Sequence, residues 1–119
     1  MREKEIKDSL EAVLKSIELI ESRFKSIHKA ADFIATPSGV TKMDSIAMRL
    51  QVIGERFKKL DAKVPGLLEG YGIDPKPIIR FRDFISHHYE EADYEVLHNV
   101  CKVHLPELKV KILLSINFL

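Results

Sequence analysis

Ile6, Leu10, Val13, Ile17, Ile20, Phe24 and Ile27 recur at alternating intervals of four and three residues, with charged residues and serines filling most of the positions between. Such a seam, close to a 3.5-residue period, predicts a helix over roughly residues 3–30 that must bury one stripe against another helix, within the chain or in a second copy. Leu14 and Leu19 widen the stripe. The pattern repeats in Met43, Ile46, Leu50, Ile53, Phe57 and Leu60. Further apolar faces at helical spacing follow in Ile78, Phe81 and Ile85 and in Val96, Leu97, Val100 and Val103, so the expected fold is all-α: an antiparallel bundle of four to five helices in one domain spanning 1–119.

The punctuation places the remaining elements. Ala30 to Val40 ends in Pro37-Ser38-Gly39, which reads as a loop, and Thr41 followed by Asp44 resembles a capping box opening the second long helix. Gly54 interrupts that helix at a cost of about 1 kcal/mol relative to Ala. Close approach of a neighbouring helix would compensate, and Glu55 beside it becomes a candidate partner for an inward-facing cation. Pro65-Gly66 and Gly70-Tyr71-Gly72 mark an irregular connection. Asp74-Pro75 reads as N-cap and first helical position of a helix running to about His87, and Asp93 can cap the next. Pro106 should kink or divide that last helix, because it has no amide hydrogen to donate.

The third helix carries the chemistry. Arg80-Phe81-Arg82-Asp83-Phe84-Ile85-Ser86-His87-His88-Tyr89 crowds two arginines, two histidines and a tyrosine among apolar residues. Arg82 falls at the edge of the apolar face formed by Ile78, Phe81 and Ile85, where a guanidinium is costly unless an anion meets it. Arg is a planar fork of permanent donors suited to a phosphoryl group, and His both takes and returns protons near neutrality. Together they suffice for RNA cleavage by attack of a ribose 2′-hydroxyl on the adjacent phosphate. On an ideal helix, however, His87 lies about 140° around from Arg82. The two meet only if the helix ends near Ser86, if Arg82 bends along its axis, or if two chains share the site. The same spacing also fits an ion-paired Arg at a helix contact followed by two surface histidines.

Arg82, four residues, His87, one residue and Tyr89 resembles the Arg-x4-His-x-Tyr motif of the HepT-like toxins in the HEPN superfamily. The segment Asp44 to Leu60 with Val52-Ile53-Gly54-Glu55, and Val96 to Leu108 ending Leu105-Pro106-Glu107-Leu108, are similar to further parts of that family. Asp83 stands where HepT proteins usually carry Asn, and His88 where relatives often have an acidic residue. The resemblance implies a small HEPN-like helical dimer with metal-independent ribonuclease activity, paired as a toxin with a minimal nucleotidyltransferase antitoxin. It implies Arg82 and His87 as catalytic residues, with Asp83, His88 and Glu55 in support. Tyr89 would be the hydroxyl that the antitoxin adenylylates.

Composition bounds the alternatives. The formal net charge is +1, and no segment carries more than two excess positive charges, so RNA contact should be local and DNA is not expected as a partner. Arg56, Lys58, Lys59 and Lys63 form the main basic cluster, read as a solvated face. The single Cys101 excludes an intrachain disulfide and, with a charged N-terminus, fits a cytoplasmic protein. The most apolar run is broken by Lys109 and Lys111, so no membrane span is expected. His98 and His104 match no zinc spacing, so neither metal nor cofactor is expected. The competing functional expectation is a non-catalytic helical subunit that docks a nucleotidyltransferase or a nucleotide through the same patch.

Overall fold

The computed structural model describes residues 2–88 and 93–119, with only the backbone of His88. Helices α1 (Glu3–Phe24), α2 (Asp32–Ala35), α3 (Pro37–Lys63), α4 (Leu67–Gly70), α5 (Lys76–His88), α6 (Tyr94–Asn99) and α7 (Leu105–Asn117) follow in order, with a π-helical turn at Val100–His104 joining the last two. No strand occurs among the described residues. The fold is all-α and HEPN-like: four long helical rods (α1, α3, α5 and α6 through α7) with two single-turn helices between them.

α3 is the axis of the bundle and packs against α1, α2 and α5. Its 27 residues span about 40 Å at the helical rise, which accounts for most of the 45 Å long dimension. Both seams lie in the core. Ile6, Leu10, Val13, Ile17 and Ile20 of α1 are buried, as are Ile46, Leu50, Ile53, Phe57 and Leu60 of α3. α1 also packs on α7, where Lys109 donates to Glu21 at 2.8 Å. α5 runs antiparallel to α3: Phe57 shares a groove with Ile73 and Ile78, while Met43 and Ala47 line a second with Ile85.

Two sequence expectations are corrected. α1 ends at Phe24 rather than near residue 30; the chain turns there, with Ile27 N–H donating to Phe24 O, and Ile27 returns to the core from the turn. The second long helix starts at Pro37 rather than at Thr41. Thr36, in extended conformation, is the cap, its Oγ1 accepting from Gly39 N–H at 3.0 Å, and Pro37 occupies the first turn, where its missing N–H costs nothing. Gly39 is thus helical, and a Cβ there would collide with the carbonyl oxygen of Asp32.

Other boundaries follow the sequence. Asp74 accepts from Lys76 N–H at the start of α5, and Asp93 accepts from Glu95 N–H at the start of α6. α4 is a single turn inside the expected irregular connection, flanked by Gly66 and Gly72 at positive φ. Ahead of Pro106 the hydrogen-bond register slips by one residue, Leu105 N–H reaching Val100 O in the π turn. The rod is therefore divided without a break.

Candidate active site

The site is built where α3 and α5 come closest. A Cβ on Gly54 would overlap Arg82 Cβ, lie 2.8 Å from Arg82 Cγ and 3.3 Å from the carbonyl oxygen of Ile78. Only a residue without a side chain lets α5 sit this low on α3. Gly54 is therefore the clearance that brings the stem of Arg82 flush against the neighbouring helix, as the interruption of the seam suggested. Ile53 and Phe57 on one side and Ile85 on the other are buried and fix both helices in register.

With its stem held there, Arg82 directs its fork to two carboxylates. Nη2 pairs with Glu55 on α3, and Nη1 donates to Asp83 Oδ1 at 2.6 Å. Asp83, first, and Glu55, second, hold the guanidinium above its ordinary pKa, so Arg82 stays charged throughout. Arg82 in turn holds the Asp83 carboxyl below the usual carboxylate range, with Lys58 and His87 adding smaller electrostatic contributions. Asp83 and His87 are four residues apart on α5 and so share a face. The Asp83 carboxylate thus touches the guanidinium and shares its helix face with His87.

The structure resolves part of the question left by the helical spacing. α5 continues through His88, so the helix does not end near Ser86 to swing His87 toward Arg82. Asp83, which pairs with Arg82, stands one helical turn before His87 on the same helix. His88 is on α5, its side chain outside the description, and Tyr89 lies outside the described residues. The sequence-based expectation of a Glu55 partner for Arg82 matches the geometry. Lys58 entered the sequence reading only as part of a solvated basic cluster. Its influence on Asp83 was legible only in the chain Gly54, Glu55, Lys58, where Lys58 follows Gly54 by one turn.

The other candidate groups lie elsewhere. His98 packs among Phe24 and Phe33, with ring centroids 5.2 and 6.4 Å away, and His104 lies 3.4 Å from Asn99 Nδ2. Cys101 is buried, which pushes its thiol up to about 12. No cluster of three His, Cys, Asp or Glu residues positioned for a metal occurs among the described residues. No described helix is long and apolar enough to cross a membrane.

Chemically, the arrangement offers a fixed, permanently charged fork, an anion that orients it, and an imidazole one turn away. No curated protein and no solved structure matches the chain. The sequence model described as ribonuclease HepT-like matches residues 13–113, a stretch that takes in the first seam from Val13 onward, all of the second, the Gly54 contact and the whole of α5. The chain belongs to the HepT-like ribonuclease family.

Proposed function

We propose that this protein is a metal-independent endoribonuclease, acting as the toxin of a HepT and minimal nucleotidyltransferase pair. The observation that carries the reading is the Arg82 fork, pinned at the α3–α5 contact and paired with Asp83, one helical turn before His87. Arg82 binds the non-bridging oxygens of the scissile phosphate and stabilises the charge that builds on them. Asp83 keeps the fork oriented. His87 removes the proton from the ribose 2′-hydroxyl, whose oxygen then bonds to phosphorus as the bond to the 5′-oxygen breaks. The leaving oxygen takes up a proton, and the products are a 2′,3′-cyclic phosphate and a 5′-hydroxyl. In a homodimer, His87 of the second copy is one candidate source of that proton. His88, next to His87, is the alternative carrier.

Tyr89 follows the last residue of α5. Adenylylation of its hydroxyl by the antitoxin would add a phosphodiester anion and a bulky nucleoside to the motif, and either would block RNA entry. The near-neutral net charge of +1 favours a second reading, a docking subunit for the nucleotidyltransferase without catalysis of its own. Incubating purified protein with RNA in EDTA separates them. Fragments ending in 2′,3′-cyclic phosphate support the ribonuclease. Tight partner binding with intact RNA supports the docking subunit and refutes the enzyme.

A further inference from the structure

Both terminal nitrogens of Arg82 are already engaged by carboxylates. A guanidinium fork fits a carboxylate and a phosphate by the same paired N–H geometry, so the two anions compete for the same donors. The two carboxylates are not equivalent. Asp83 is the neighbour of Arg82 on α5, and Lys58 and His87 also attract it. It keeps cationic company if the guanidinium turns away. Glu55 belongs to the opposite helix, 27 residues away in sequence; both carboxylates are about half exposed, Glu55 at 47% and Asp83 at 48%, against 21% for Arg82. Glu55 is free to swing into water, whereas Arg82, its stem wedged over Gly54, is not.

We infer that Glu55 is a built-in substitute for the substrate phosphate: it occupies Arg82 Nη2 in the empty site, and RNA binds by displacing it. The inference rests on the reading of Arg82 as the phosphate-binding residue. It makes Glu55 a residue that sets substrate affinity, and not a support that catalysis needs. Its presence lowers the gain from binding any phosphate. A weak phosphate ligand is then excluded, and an RNA with further contacts is not.

The test is binding and turnover of Glu55→Gln. Gln keeps the length of the side chain and an oxygen acceptor but loses the charge. A 2′-deoxy oligonucleotide, which has no nucleophile, reads binding apart from chemistry. Its Kd is expected to fall about three- to fivefold, the scale of one partly exposed ion pair, and kcat/KM for RNA to rise by the same factor. In the Arg82→Ala background the same substitution should change Kd by less than about twofold, because the competition acts through that guanidinium. Glu11→Gln, at an exposed site on α1, measures the general gain from removing one negative charge. Circular dichroism of each variant confirms folding, and Glu55→Asp, which keeps the charge, should leave Kd nearer the wild type. Weaker binding or a loss of turnover in Glu55→Gln overturns the inference, since it would make Glu55 a positioning residue. So does a gain no larger than that of Glu11→Gln. If wild-type cleavage does not depend on Arg82 at all, it is the ribonuclease site that fails, and the two failures are thereby distinct.

Discussion

Replacing Gly54 with Ala sets two effects of known sign against each other. On an isolated or exposed helix the change stabilises by about 1 kcal/mol, because Ala loses less backbone entropy. Here the new methyl would meet Arg82 Cγ at 2.8 Å and the Ile78 carbonyl oxygen at 3.3 Å, and would overlap Arg82 Cβ. Carbon atoms in contact settle at about 3.5–4.0 Å, so α5 must lift from α3 by roughly 1 Å. Neither Arg82 Cβ nor a helical carbonyl can rotate out of the way. Overpacking of this kind costs about 1–3 kcal/mol, and after the helical gain of about 1 kcal/mol the net loss should be about 0–2 kcal/mol. The functional loss should be larger. A shift of about 1 Å at a catalytic fork is worth about 100-fold in rate, far beyond what the fraction unfolded explains. Urea unfolding followed by circular dichroism reads the first quantity, and RNA cleavage under conditions where the variant is fully folded reads the second. A variant that is more stable than the parent and cleaves RNA at the parental rate would refute the close-approach argument.

Other consequences concern titration and reactivity. Arg82 depresses the Asp83 carboxyl, and backbone N–H groups of His28 and Lys29 depress that of Asp32. A carboxyl lowered in the folded state contributes stability that is fully present above its unfolded value near 3.8 and is lost as pH falls through the folded value. Acid unfolding should therefore become less steep below pH 4 in Asp83→Asn and in Asp32→Asn, as measured by urea titrations at stepped pH. An unchanged slope in both would contradict the assignment. Cys101, buried and with its thiol raised to about 12, should resist iodoacetamide at pH 8 in the folded protein and react once urea unfolds it. Rapid labelling of the native state would show that the packing around the π turn is looser than described.

Much of this fold was legible because burial on a helix leaves a period. The residues of both seams were read correctly, and so was the meaning of a glycine set beside the second: Gly54 in a run of large residues implied a helix pressed against it, and Glu55 next to it implied a partner for Arg82. Period alone misjudged the end of α1. Ile27 keeps the phase of the seam, but it reaches the core from a turn, and an apolar residue at the right interval looks the same in either case. Pro37-Ser38-Gly39 was read as a loop because Pro and Gly usually punctuate. Here Pro37 sits in the first turn of α3, and Gly39 is required by the Asp32 carbonyl, a contact between segments that no local rule contains. Helical spacing likewise set the angle between Arg82 and His87 and left open which of them Asp83 orients; the structure pairs it with Arg82.

The account rests on Arg82 and His87 acting on one phosphodiester. Its most direct test is kcat/KM for RNA in Arg82→Ala, His87→Ala and the double variant, each checked for folding. Groups that work as a unit are strongly non-additive, so each single change should cost more than about 100-fold and the double should cleave no more slowly than the worse single. Near wild-type cleavage in either single variant, or losses that multiply in the double, would contradict it.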